Sequence, residues 1–444
     1  VERVMQEVLA IKPDIVFLWD EAWFAFAGFT HTYRRRTAMY VANKLSERYK
    51  SEAYRLKYNE AVKNGTAENL PDPKKVRIRA YATQSTHKTL SALRQGSMIH
   101  IYDEDFQLKS KDSFLEAYMT HTSTSPNYQI LGSLDISRRQ VQFEGFELVE
   151  KSIEMAMVLR SKIASHPILS QYFDVLTVKN FIPEEYRESG IEEYFNPDTG
   201  WSRMDEAWRN DEFVLDPTKI NLFIGRTGVD GDTFKNKYLM DKHGIQVNKT
   251  SRNTVLFMTN IGTKRSSVAY LLNVLLLITE EVKKSNEGLV GQAELMLQNR
   301  IHSLTKETPP LPDFSNFYES FQAVKGIPGG NLRSAYFMSY DESKCRYIQL
   351  ADCTQYMEEG NVIVSASFVI PYPPGFPILV PGQVLSKEIL EFFIKLDVKE
   401  VHGFHRDLGL RIFTKEALES VSKSASNGSQ AQTIKKDDVG IKSN

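Results

Sequence analysis

Gln84-Ser85-Thr86-His87-Lys88 closes an alternating run, Val76-Arg-Ile-Arg-Ala-Tyr-Ala-Thr83. Alternation of apolar and polar residues is the period of a strand with one face buried. The run therefore predicts a strand, and the five residues after it predict a polar turn ending in a lysine. A lysine in that place reads in two ways. It is a solvated turn residue, or its amine is offered to an aldehyde to form a Schiff base, with Ser85 and His87 beside it for an anionic group.

A second stretch favours the chemical reading. Ile15-Val-Phe-Leu-Trp19 is a continuous apolar run followed by Asp20-Glu21-Ala22-Trp23. Such a run suits a buried parallel strand, and ligands of open α/β sheets bind beyond the carboxyl ends of the strands. Asp20 there is either a helix cap or a carboxylate that pairs with a protonated pyridine nitrogen. Asp20 and Lys88, in that order and each beside a strand, point to a pyridoxal 5'-phosphate (PLP) site. Lys88 is assigned to the aldehyde and Asp20 to the ring nitrogen.

Five stretches carry a family resemblance: Asp20-Glu-Ala-Trp23, Thr83-Gln-Ser-Thr-His-Lys88, Gln95-Gly-Ser-Met-Ile-His100, Glu116-Ala-Tyr-Met-Thr-His-Thr-Ser-Thr-Ser-Pro126 and Pro371-Tyr-Pro-Pro-Gly-Phe-Pro377. The chain resembles the bacterial ornithine/lysine/arginine decarboxylases, PLP enzymes of the aspartate-aminotransferase fold (fold type I). The resemblance implies an α/β chain with a partial large domain, a smaller α/β domain and a C-terminal α+β decarboxylase domain. It implies decarboxylation of a basic amino acid, with arginine ahead of lysine and ornithine, giving CO₂ and an amine that leads to polyamines. It also implies cofactor contacts from Trp23, Ser85 and His87. Trp23 reads equally as a core tryptophan. A hydroxyl among Thr122, Ser123, Thr124 and Ser125, with Thr124 and Ser125 foremost, is expected to reach the cofactor phosphate of a partner subunit. That makes the protein a homodimer or higher oligomer. Transamination on the same fold, or an inactive assembly fragment, is the alternative.

Composition bounds the rest. The 444 residues are 41% hydrophobic and 25% charged, ordinary for a globular protein of two or three domains. Lys plus Arg number 55 against 56 for Asp plus Glu, which makes no electrostatic case for nucleic acid or an anionic membrane. Cys345 and Cys353 are the only cysteines, so neither a disulfide framework nor a thiolate metal site is expected, and a cytoplasmic location fits.

Along the chain, residues 1–137 read as the second half of the PLP domain, 138–300 as the small α/β domain, 301–420 as the C-terminal domain and 421–444 as a disordered tail. The phosphate-binding loop and ring-stacking residue of such a domain are not found before the Asp20 strand, so the first half of the PLP domain is expected upstream of Val1. Helices are expected over 1–12, 34–64, 112–120, 141–162 and 266–280. Strands are expected at 219–224 and 254–258. The long spacing from Asp20 to Lys88 reads as an insertion around 34–72. Arg34-Arg-Arg36 reads as a solvated helix start or, less simply, a ligand clamp. Val229-Asp-Gly-Asp-Thr233 reads as a turn. The prolines at 371–381 limit that stretch to an edge strand and turns.

Overall fold

A computed structural model describes residues 1–422 apart from 197–199, 202, 248, 308, 323–331, 373, 374, 397 and 399. The expected tail, except for residues 421 and 422, and two of the prolines at 371–381 lie outside the described residues. The chain divides into two compact units, residues 1–223 with 256–285, and residues 224–255 with 286–444.

The first unit is built on the two predicted strands. β1 (Phe17–Asp20) runs parallel to β2 (Arg79–Ser85), with Asp20 opposite Thr83. β3 (Ser97–Asp103) returns antiparallel on the other side of β2, with Ser97 opposite Ser85. Alternation along β2 sends Ala80, Ala82 and Gln84 inward. Alanines leave room for a helix, and Ala38–Lys50 fills it with Val41, Ala42 and Leu45, all at most 1% exposed. That helix supplies core, so the first part of the supposed insertion is integral to the unit. The helical stretch breaks at Ser51, which caps the next helix, Glu52–Lys63, by accepting from the Tyr54 N–H at 3.2 Å.

One expectation needs correction. β1 is not buried on both faces. It is four residues long, lies at the edge of the three-stranded sheet and leaves Leu18 72% exposed. Only β2 pairs with it among the described residues.

Helix Lys111–His121 leads through an exposed loop into a 38-residue helix, Tyr128–Ser165. The apolar period had placed only its buried second half. The first half carries Tyr128, Ile136 and Phe143 outward, which hides the period. Further on, β4 (Asp174–Val175) and β5 (Lys219–Phe223) pair antiparallel, and β5 also neighbours the strand Thr254–Met258. Helix Arg265–Asn286 follows.

In the second unit, strands Cys345–Ile348, Gly409–Phe413 and Phe404–His405 form an antiparallel sheet. Helix Lys387–Leu396 buries Ile389, Leu390, Phe392 and Phe393 in the adjoining core. Among the described residues Ile370–Tyr372 pairs only with Glu400–His402, an edge role that suits its proline. Asp230 caps the short helix Gly231–Thr233, accepting from the Thr233 N–H at 3.0 Å.

Candidate active site

The candidate residues gather at the carboxyl end of the β1–β2 pair. The ladder continues past both strands: the Glu21 N–H donates to the Thr83 carbonyl at 2.9 Å, and the Ser85 N–H to the Ala22 carbonyl at 3.3 Å. Asp20 is thereby held beside the Ser85–Lys88 turn. Its carboxylate is exposed, and its Oδ1 accepts the Ala22 N–H at 3.0 Å. Among the described residues Oδ2 has no hydrogen-bond donor.

Lys88 ends the turn after β2, half-buried, with Nζ 5.4 Å from the centroid of the Trp23 ring. Trp23 is therefore a neighbour of the lysine, as expected of a site residue. His87 is pinned by a 3.2 Å contact from Nδ1 to the Gly96 carbonyl. That contact needs Nδ1–H, so Nε2 can donate to an anion only in the doubly protonated ring. The loop that carries these residues is tight. Gln95 has φ +73°, rare for a side-chain-bearing residue. A Cβ on Gly96 would lie 2.8 Å from both Thr86 Oγ1 and Leu134 Cδ2, so the position admits only glycine without rearrangement. Among the described residues the buried hydroxyls of Thr86 and Thr89 have no hydrogen-bond partner.

Two other readings of nearby residues change. Glu21 is 7% exposed, and its carboxylate is committed: it accepts the Ala38 N–H at 2.6 Å and the Gln84 side-chain amide at 2.9 Å. It caps the core helix and is not turned toward a substrate. Arg36 is neither solvated nor a ligand clamp. Its guanidinium donates to the carbonyls of Trp208, Asp211 and Glu212 and so caps the end of helix Met204–Asn210. A cleft of 1030 Å³ lies on the inner side of β2 and β3, lined by Phe29, Gln84, Leu90, Met98, His100 and Val141 among others. Asp20, Trp23 and Lys88 are not part of its wall.

Thr124 and Ser125 are not gathered with the other candidates. They sit in the exposed loop after helix Lys111–His121, where the Ser125 N–H donates to Ser123 Oγ at 3.1 Å. A residue that sequence reasoning left unused is Lys219, the first residue of β5. It is 6% exposed, and its Nζ lies 5.5 Å from the same Trp23 centroid. The available signal was a lysine opening a mostly apolar strand straight after Asp216-Pro217-Thr218.

The family model of the ornithine/lysine/arginine decarboxylase major domain matches residues 59–267. A lysine decarboxylase of Hafnia alvei is 30% identical over 365 residues, 74% of this chain and 46% of that protein. The chain belongs to the ornithine/lysine/arginine decarboxylase family. The inducible lysine decarboxylase of Escherichia coli K12 is 29% identical over 362 residues, 74% of this chain and 47% of that one. This decarboxylase-family chain thus spans about half the length of these relatives. Its fold is also theirs. The crystal structure of the Francisella novicida lysine decarboxylase aligns with a TM-score of 0.54 at 23% identity, covering 89% of this chain and 53% of that one. The Pseudomonas aeruginosa lysine decarboxylase aligns with a TM-score of 0.55 at 19% identity, covering 90% and 53%. Family membership makes the architecture that of the aspartate-aminotransferase type, mixed α/β.

Proposed function

We propose that the protein carrying this chain is a PLP-dependent decarboxylase of a basic amino acid and that residues 1–137 supply the second half of its cofactor domain. The observation that carries this reading is the joint placement of an exposed carboxylate, Asp20, and a lysine on an indole, Lys88, at one end of a parallel strand pair. The donor set fits the cofactor. Asp20 has an oxygen open to a ring N–H, Lys88 is an amine for the aldehyde, and Ser85 and His87 are polar groups on the same turn for the phosphate.

In the mechanism, PLP when bound supplies a sink for the electron pair left by departing CO₂. Asp20 keeps the proton on the ring nitrogen, which is the condition for that sink. Lys88 would supply the amine for the cofactor's aldehyde, and Trp23, whose ring lies 5.4 Å from Nζ, would help set where that amine stands. His87, anchored at Gly96, presents Nε2–H to the phosphate in its protonated form.

The relatives lend support to lysine, although a lysine decarboxylase of Pseudomonas aeruginosa stands at only 22%. Those at 29–30% identity are lysine decarboxylases, whereas an ornithine and an arginine decarboxylase of Escherichia coli stand at 23% and 22%. Lysine therefore moves ahead of arginine. A second copy of the chain is the partner that fits best. Helix Tyr128–Ser165 exposes Tyr128, Ile136, Phe143 and Phe146 at 58–80%, next to the hydroxyl loop at 122–125. Covering that stripe in a homodimer brings Thr124 and Ser125 toward the other site. A cytoplasmic location is supported by two free thiols; burial pushes that of Cys353 up to about 11.

Incubating the full-length protein with carboxyl-labelled lysine, arginine and ornithine tests the reading. Labelled CO₂ from at least one of them is expected. Release from glutamate or an aromatic amino acid alone would overturn it.

A further inference from the structure

Trp23 carries two lysines, and only one of them has been given work. Lys219 is a buried cation held by its own neighbours. Its Nζ donates to Asp216 Oδ2 at 3.0 Å and to Thr218 Oγ1 at 2.9 Å. Thr218 in turn donates from its N–H and hydroxyl to Asp216 Oδ1 at 2.8 and 2.6 Å. The Lys219 carbonyl accepts from the guanidinium of Arg160, itself 8% exposed. Besides Trp23, the Lys219 ammonium lies 5.8 Å from the Phe26 centroid, in a ring that is 1% exposed.

An ion pair with one member buried, Lys219 at 7% side-chain exposure against 23% for Asp216, is a weak source of stability, because desolvation offsets much of the attraction. Well-packed apolar residues at 216 and 219 would serve a purely structural purpose as well. What the pair does that they cannot is set a fixed ammonium against the indole that also bears Lys88. An ammonium over an indole is attracted by the ring quadrupole, the more so when desolvated. Two such contacts on one ring fix its plane.

We propose that Lys219 is a positioning residue for Lys88, acting through Trp23, with Asp216 setting how much of its charge Lys88 feels. This rests on Lys88 being the cofactor-bearing lysine. The charged and titratable groups around the pair are Asp216, Arg160, Tyr33, Tyr194 and Lys88, with Asp20 and His87 beside Lys88 itself. With Asp216 paired to Lys219, their fields largely cancel at Lys88. Replacing Lys219 by a neutral residue leaves the Asp216 anion uncompensated, and Lys88 then keeps its proton to higher pH. Neutralising Asp216 has the opposite effect. A single uncompensated charge roughly 10 Å away at an effective dielectric of about 20 is worth about one pH unit.

The test is competitive acetylation of lysines in the cofactor-free full-length protein across neutral to alkaline pH, with Lys88 read by peptide mapping. Lys219→Met is expected to move the Lys88 labelling midpoint up by about one pH unit and to lower labelling near neutral pH by about tenfold. Lys219→Arg, which keeps both the ion pair and the ring contact, is expected to stay within about twofold of wild type. Asp216→Asn is expected to move the midpoint down, and it decides the matter if Lys219→Met does not fold. Unchanged Lys88 profiles in the folded variants would overturn the proposal. The functional reading is tested separately, by borohydride reduction of the PLP-loaded wild type: a pyridoxyl adduct on a lysine other than 88 sinks that reading whatever the acetylation shows.

Discussion

The two ends of the β1–β3 sheet carry charges of similar number and very different freedom. At the amino end of β2 every acid is saturated. Asp105 accepts from Arg77 at 2.5 Å and from Lys109 at 2.8 Å; Asp103 accepts from Arg79 at 3.2 Å and from the Tyr81 hydroxyl at 2.7 Å. Glu104 takes the Ser46 hydroxyl and the Ile78 N–H, and Lys50 stands 2.6 Å away. At the carboxyl end, Asp20 has one backbone donor and an open oxygen. The first end holds a fold together. The second leaves an acceptor oxygen of Asp20 open among the described residues.

The contrast is broken most directly at Lys88. In the full-length protein Lys88→Ala is expected to abolish the borohydride-trapped pyridoxyl adduct and to lower CO₂ release by at least about a thousandfold, roughly 4 kcal/mol in barrier. The melting temperature should hardly move. A large fall in stability with residual turnover would place Lys88 with the structural charges instead.

Asp20→Ala comes next. Loss of a carboxylate paired with a ring cation is expected to cost about 3 kcal/mol, a hundredfold or more in turnover. Weaker PLP retention, read by equilibrium dialysis, should accompany it. Turnover within a fewfold of wild type would show that another group keeps the ring nitrogen protonated.

The saturated end answers in stability, not turnover. Hydrogen bonds from Arg77, then from Lys109, hold the Asp105 carboxyl down to about 2, against about 3.9 in an unfolded chain. A depressed carboxyl stabilises the fold at pH above its unfolded value, and that stabilisation is lost as pH falls from about 4 toward 2. Asp105→Asn is expected to cost roughly 1–3 kcal/mol at neutral pH in denaturant titrations and to flatten the acid limb of the stability curve. An unchanged acid limb would remove Asp105 from the account.

The smallest effect belongs to the hydroxyl loop. Thr124→Ala with Ser125→Ala touches exposed side chains and should change stability by no more than about 0.5 kcal/mol. Its signature is expected in trans: a Lys88→Ala chain co-expressed with the doubly substituted chain should recover some activity through one intact shared site. Equal activity of the mixed and separate preparations would leave the loop without a role at the partner.

Much of this was legible because local chemistry is local in sequence. Lys88 stands at the end of an alternating run, Asp20 at the end of an apolar one, and strand pairing brings those two ends together. Lys219 was not legible in the same way. Its meaning comes from an indole nearly 200 positions earlier in the chain, and no spacing rule links the two. Glu21 was legible in part. Alternation says that it points opposite to Asp20, but not that the Ala38 N–H waits there to be capped. The burial of β1 was misjudged because an apolar run reports what a strand is suited to, not which neighbours flank it.

The 38-residue helix Tyr128–Ser165 has a mechanical consequence. At 1.5 Å per residue the stretch from Asn127 to Arg160 is about 50 Å long. One end of this rod carries the exposed hydroxyl loop, and the other grips the Lys219 carbonyl. Packing at Val141, Val149, Ile153 and Met157 fixes the helix along its second half. The loop therefore stands at the tip of an arm of about 21 Å, from Asn127 to Val141, and its reach is set by the length of that arm.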